Sequence, residues 1–379
     1  MKKDYLLTPG PTPLPPQVME TLARPIIHHR TPQFQAILKE ATENLKYVFQ
    51  TNNDIFIFAS SGTGAMEAAV CNFLSPADSA ITVEGGKFGE RWSELCTAFG
   101  IKSIPIKVEW DSSVEPKDIE KLLKSDKNIK AVFTTLCETS TGVNHDIKAI
   151  AQVVKNTDAV LVVDAISGLG VLDLQTDNWC VDVVVSGSQK GLMLPPGLSF
   201  ISVSQKAWKL IETSRCQKYY FSLKAAKKAW DSVDTPFTPA IGLIIALNES
   251  LKMIKKEGLA NIFAYYKKLA KATREAAKAL GLKIYAKEGC SSDALTAIEV
   301  PDGIDAEKMV KTMRDTYQVT IAGGQAELKG KVFRIAHMGY INEFDILTAI
   351  SCLEKVLKEM GYNFQLGQGV AAAQKVINA

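Results

Sequence analysis

The chain has 379 residues, 46% of them hydrophobic and 22% charged, with 44 basic against 41 acidic side chains and a formal net charge of +3. That length favours a large domain plus a smaller one over a single core, and the composition is that of an ordinary globular enzyme. A charge so small and so evenly scattered argues against nucleic acid or an anionic membrane as partner.

The first residues, Met1-Lys-Lys-Asp-Tyr-Leu-Leu-Thr-Pro, lack the apolar core of a signal peptide, and no segment is long enough to cross a bilayer. A cytoplasmic enzyme is expected. Five prolines (Pro9, Pro11, Pro13, Pro15 and Pro16) prevent a helix from starting before about Gln17. Seven apolar runs then read as strands: Ile55–Phe58, Ala80–Val83, Ser103–Val108, Ala131–Thr135, Ala159–Val163, Val181–Val185 and Leu198–Val203. Helical patterns such as Gly89–Phe99 and Ile147–Val154 lie between most of them. This alternation predicts a mostly parallel sheet with helices on both faces. The last two runs leave no room for a crossover helix, so the final strand is expected to run antiparallel.

After about Pro239 the pattern changes. Long helices are expected over Ile241–Lys256 and Leu259–Leu280, then short strands near Ile284, Leu295–Val300 and Val332–Ile335, with helices at Ala306–Thr316 and Glu343–Met360. The resulting division is an arm over 1–20, a large α/β domain over 21–258 and a small α+β domain over 259–379. Seven widely spaced cysteines without a Cys-x-x-Cys pair fit a reducing compartment and offer neither a disulfide framework nor a zinc site. None of the four histidines has metal-ligand spacing to another ligand.

Three segments carry chemistry. Val181-Asp-Val-Val-Val-Ser-Gly-Ser-Gln-Lys190-Gly191 is a buried strand ending in a small polar turn with one lysine. Ligands gather at the carboxyl ends of parallel strands, and a desolvated lysine there is a nucleophile toward carbonyls. An isolated lysine would be a solvated loop residue, but two neighbours change the balance. Asp158-Ala-Val-Leu-Val-Val-Asp164 is a second apolar strand ending in a carboxylate, one strand–connection–strand unit earlier. Pyridoxal phosphate needs such a pair, a lysine to bind it covalently and an acid to keep its ring nitrogen protonated. Alone, Asp164 would read as a cap or turn residue. In Asp54-Ile-Phe-Ile-Phe58-Ala-Ser-Ser61-Gly62-Thr63-Gly64 a strand meets a glycine-containing turn before a helix, which suits a phosphate. Its spacing matches neither a Walker loop nor a Rossmann fingerprint.

With Leu7-Thr-Pro-Gly-Pro-Thr-Pro13, His28-His-Arg-Thr-Pro32, Glu138-Thr-Ser-Thr-Gly142, Pro195-Pro-Gly197, Thr235-Pro-Phe-Thr-Pro239 and Val332-Phe-Arg-Ile335, these motifs span nearly the whole chain. Together the sequence resembles the class V aminotransferases of the fold-type I pyridoxal-phosphate enzymes, near the alanine/serine–glyoxylate (or pyruvate) aminotransferases. The resemblance implies a fold-type I architecture, pyridoxal 5'-phosphate as cofactor, and transfer of an amino group from a small L-amino acid to a 2-oxo acid. It also implies a homodimer with shared active sites.

By that resemblance Lys190 binds the cofactor and moves the substrate proton as base and acid. Asp164 pairs with the ring nitrogen, while Ser61, Gly62 and Thr63, aided by Gln189, hold the phosphate. Phe88 stacks on the ring, opposite Ile166, where relatives carry Trp or His, so a polar contact is given up here. On its own Phe88 would read as a core aromatic at a helix start. Thr139 reaches the ring oxygen or the substrate. Thr238 contacts the phosphate of the neighbouring subunit; Thr235 stands where some relatives have tyrosine, which puts a second such contact in doubt. Arg334, which alone would read as a surface ion pair, binds the substrate carboxylate through its planar fork.

Three alternatives stay open at this point. A cysteine desulfurase would need a mobile-loop cysteine and a stacked histidine, and Phe88 occupies the stacking position. An aspartate aminotransferase would meet a second carboxylate with Arg30, Arg215 or a lysine. A catalytically silent relative would act as a binding protein, against which the joint presence of Lys190, Asp164 and Arg334 speaks. One methylene is worth only about 1–3 kcal/mol of discrimination, so motifs do not rank the donors or acceptors.

Overall fold

The computed structural model describes residues 3–379. Seven strands form one sheet, in the order Asp54–Phe58, Ser199–Val203, Val183–Gly187, Val160–Asp164, Ile129–Thr135, Ser79–Glu84 and Lys102–Lys107. Ser199–Val203 runs antiparallel to both neighbours, as its short connection to Val183–Gly187 requires, and the other strands share one direction. All seven lie within two or three residues of the apolar runs that predict them.

The central strands Val160–Asp164, Val183–Gly187 and Ser199–Val203 are buried throughout, because helices cover both faces and every side chain needs an apolar neighbour. The pleat sorts their residues: Leu161, Val163, Val184 and Phe200 join one core, and Val160, Val162, Val185 and Ile201 join the other. On the second face Trp92 stacks on Phe133 with ring centroids 4.6 Å apart. Lys102–Lys107 forms one edge, where lysines and Pro105 suit a strand with one unpaired side.

In the C-terminal part, Leu295–Glu299, Val332–Ala336 and Ala322–Gly323 form an antiparallel sheet with Val332–Ala336 in the middle. Helices Leu259–Ala279, Ala306–Tyr317 and Glu343–Glu359 match expectation to within three residues. The expected strand near Ile284 is only an isolated bridge to Ile298. Gly258, at φ +84°, turns the chain between helices Ile241–Glu257 and Leu259–Ala279.

Several elements were not foreseen, and two of them join distant parts of the chain. Helix Gln368–Ile377 packs on Leu259–Ala279, and Tyr5–Leu6 is a strand paired in parallel with Val319–Thr320 of the C-terminal part. The first helix, Pro16–Leu22, starts with proline at its first position, where no N–H is needed, and lies on Ile241–Glu257.

Candidate active site

Two neighbouring parallel strands, with Asp164 opposite Val185, deliver Asp164 and Lys190 to the same sheet edge. Lys190 lies just past the end of Val183–Gly187, is 8% exposed, and donates from Nζ to the Pro9 carbonyl of the arm. Thr12 Oγ1 donates to the Lys190 carbonyl at 3.0 Å. Gly10, at φ +117°, has no room for a side chain, since a Cβ would stand 2.5 Å from Lys190 Cε. Burial pushes the Lys190 amine down to about 8, against Cys137 and Asp164, which pull it up; Arg334 and Arg91 add to the lowering. Lys190 is thus ready to lose its proton near neutrality.

Asp164 is buried and accepts one hydrogen bond, from the Ile166 N–H at 2.8 Å. Burial pushes its carboxyl up to about 7, and the nearby Glu138 acts in the same direction; the Ile166 N–H, Arg91 and Lys190 oppose. A carboxylate so placed gains from a cationic N–H partner.

Strand Asp54–Phe58 ends at Ala59, and helix Gly62–Phe73 starts after Ser61, whose side chain does not cap it. The first-turn N–H groups therefore face the site without a side-chain acceptor. The glycines are needed for space. A Cβ on Gly62 would stand 2.5 Å from Ile166 Cδ1, and one on Gly187 3.1 Å from Gln189 Oε1 and 3.3 Å from Gly62 N. Gln189 Oε1 is buried without a hydrogen-bond partner; turned over, the same amide presents an NH2 donor. Thr63 Oγ1 accepts from Arg91 Nη1 at 3.4 Å, and the Arg91 guanidinium lies 4.8 Å from the centroid of the half-buried Phe88 ring.

Thr139 bonds Ser167 through the two hydroxyls at 2.5 Å, and its carbonyl accepts from Arg334 Nη1 at 2.8 Å. Arg334 Nε and Nη2 both donate to the Gly323 carbonyl, at 3.0 and 2.7 Å. A guanidinium has five N–H bonds. Three are thus used, and one on each terminal nitrogen remains to donate to a carboxylate. Burial pushes Arg334 down to about 10, opposed by Glu138, which leaves it charged at neutral pH.

Ser61, Gln189 and Lys190 lie at the adjoining strand ends; by these contacts Asp164, Ile166 and Gly62 are linked, Thr63 and Phe88 are linked through Arg91, and Thr139 and Arg334 are linked directly. Thr238 has none of these links: it is exposed, in a loop beside Ile57, Phe58 and Leu198, with Phe237 stacked on Tyr220 at 5.2 Å. The family resemblance puts the proline-rich arm near the substrate entrance, but sequence reasoning gave no role to Pro9, Gly10, Thr12, Arg91 or Glu138. Arg91 had one signal, its place one helical turn after Phe88. The others depend on contacts between distant segments.

The aminotransferase class V family model matches residues 4–338. The chain is 44% identical to a Synechococcus protein named soluble hydrogenase, small subunit, covering 99% of each chain. It is 38% identical to the serine–glyoxylate aminotransferase of Methylorubrum extorquens, covering 99% of this chain and 96% of that one. Among solved structures, the ureidoglycine–glyoxylate aminotransferase of Bacillus subtilis matches with a TM-score of 0.96 at 28% identity, covering 100% of this chain and 99% of that one.

Proposed function

Since the chain belongs to the class V aminotransferases, a family of pyridoxal-phosphate-dependent transaminases, we propose that it moves the amino group of a small L-amino acid, alanine or serine, to glyoxylate or pyruvate. One observation carries the reading: a buried lysine and a buried aspartate end adjacent strands, within electrostatic reach of an arginine whose fork is free.

The residues present fit pyridoxal 5'-phosphate. Gln189 has an amide end without a protein partner, Gly62 and Gly187 leave a cradle that a Cβ would fill, and Asp164 lacks a cation. Lys190 would hold the cofactor covalently and Asp164 would face its ring nitrogen. Ser61, Gly62, Thr63 and Gln189 would take the phosphate, with the ring between Phe88 and Ile166 and Thr139 at its edge. When bound, the cofactor supplies a carbonyl for the amine and a protonated ring that accepts the electron pair left at Cα.

The chain's own groups do the rest. Arg334 grips the α-carboxylate with its two free N–H bonds and turns the Cα–H bond toward Lys190. Lys190 Nζ, neutral near its lowered value, takes the proton from the donor's Cα in the first half of the cycle and delivers a proton to the acceptor's Cα in the second. Asp164 stays anionic against the ring nitrogen. The arm at Pro9 and Gly10 closes over the lysine and keeps water out.

Thr238 would complete the phosphate site of a second copy, so the working unit is a homodimer. The exposed Tyr219 and Tyr220, beside Phe237, suit burial between copies.

The test is reconstitution with pyridoxal phosphate, followed by visible absorbance on adding single amino acids, then single 2-oxo acids. Alanine or serine should shift the spectrum, and glyoxylate or pyruvate should restore it. A chain that binds no cofactor would be the silent relative; a response to aspartate alone would move the substrate to dicarboxylates.

A further inference from the structure

Helix Lys87–Ala98 carries Phe88 in its first turn, yet its own N-cap residue is Gly86, which has no side chain to offer. The exposed N–H groups are met from another segment. Glu138 accepts from the Phe88 N–H at 3.1 Å and the Gly89 N–H at 2.9 Å through Oε2. Its other oxygen accepts from the Ser140 N–H at 3.0 Å and the Ser140 hydroxyl at 2.6 Å. Glu138 is fully buried. Its three N–H partners can only donate, so the arrangement favours an ionised, acceptor-only carboxylate, against burial, which pushes its carboxyl up.

The approach is built into the sequence on both sides. A Cβ on Gly86 would stand 2.4 Å from Glu138 Cγ, and one on Gly89 2.4 Å from the Val83 carbonyl, so both glycines let this helix start close to the sheet and to the carboxylate. A negative charge at a helix N-terminus is electrostatically favoured. Glu138 also precedes Thr139, whose carbonyl holds Arg334. One short turn therefore fixes the helix bearing the ring-facing aromatic and the arginine with the free fork.

We propose that Glu138 is a positioning residue, which reaches across to cap helix Lys87–Ala98 and so sets Phe88 at the stacking distance from the cofactor ring. Glu138 touches neither cofactor nor substrate in this assignment and acts through Phe88. The inference rests on the pyridoxal-phosphate reading above.

The experiment is equilibrium binding of pyridoxal phosphate to the cofactor-free chain, for wild type, Glu138→Gln, Phe88→Ala and the double variant, with visible circular dichroism of the bound cofactor. Gln keeps the size but turns an NH2 toward groups that only donate. Each single substitution should weaken binding by about three- to tenfold, the scale of one aromatic contact. The double variant should bind no worse than the weaker single, and Glu138→Gln should reproduce the dichroism change of Phe88→Ala. Should Glu138→Gln fail to fold, Gly86→Ala displaces the carboxylate without removing it and takes its place in the cycle. Unchanged binding in Glu138→Gln, or fully additive losses, would overturn the proposal. A wild-type chain that binds no pyridoxal phosphate would overturn the underlying reading instead.

Discussion

Lys190 and Asp164, at two strand ends of the large sheet, are buried with one side-chain hydrogen bond each. Arg334 and Glu138, where the C-terminal sheet meets the turn after Leu136, are as deeply buried, but three N–H bonds of the arginine are used and the glutamate accepts from four donors. Burial shifts all four groups, the Lys190 amine down to about 8, Asp164 up to about 7, Arg334 down to about 10 and Glu138 upward, so the two pairs differ in their hydrogen bonds and not in their desolvation. The second pair is locked. The groups assigned to proton transfer are kept short of partners, while Glu138 is fully supplied and Arg334 is held by three N–H bonds with two left over for substrate.

The sharpest way to break this contrast is Lys190→Ala. Turnover of alanine or serine with glyoxylate should vanish while far-ultraviolet ellipticity is kept, because the residue lies beyond the strand. Turnover by Lys190→Ala without added amine would remove Lys190 from the reaction. Asp164→Asn comes next: hydrogen exchange at the donor's Cα, followed in deuterated water, should slow by about 10²–10³-fold, the scale of one lost electrostatic partner. An unchanged rate would make Asp164 a structural cap.

Arg334→Lys tests the locked pair. A point charge replaces the fork, so KM should rise by about 10–100-fold for every amino donor and every 2-oxo acceptor, with the bound-cofactor spectrum intact. A loss confined to dicarboxylates would place Arg334 at a distal carboxylate.

The smallest effect concerns stability of the cofactor-free chain. Lys190 titrates near 8 when folded and 10.5 when unfolded, so the unfolded state binds more protons between those values and stability rises with pH across that window. Below about 8 the buried charge is a cost. Lys190→Met should therefore raise denaturant stability at pH 7 by up to about 3 kcal/mol, with the gain shrinking as pH climbs toward 10.5. A variant no more stable than wild type at pH 7 would mean that the amine is not strained by burial.

The large sheet was legible because its strands are continuous β-branched runs cut by turns, and a strand buried on both faces has few other ways to read. The antiparallel order of its last strand followed from spacing alone. The two-residue strand Tyr5–Leu6 carried no period, and its partner Val319–Thr320 is no longer. Phe88 and Arg334 came from family resemblance, and their contacts run to Glu138, Arg91, Thr139 and Gly323 and not to Lys190. Glu138 escaped notice because its meaning depends on Gly86 and Phe88, far away in the chain, and no local pattern marks a carboxylate as the cap of another segment's helix.

The arm also bears on how the chain assembles. Tyr5–Leu6 pairs with Val319–Thr320, and Pro9 and Thr12 bond Lys190, so one short arm ties the C-terminal part to the lysine across more than half of the sequence. Contacts of such long sequence separation form late, after the intervening chain has been ordered. Until Val319–Thr320 is in place, the arm is anchored only through Pro9 and Thr12 at Lys190. Covering of the lysine is thereby coupled to the ordering of the segment around Val319.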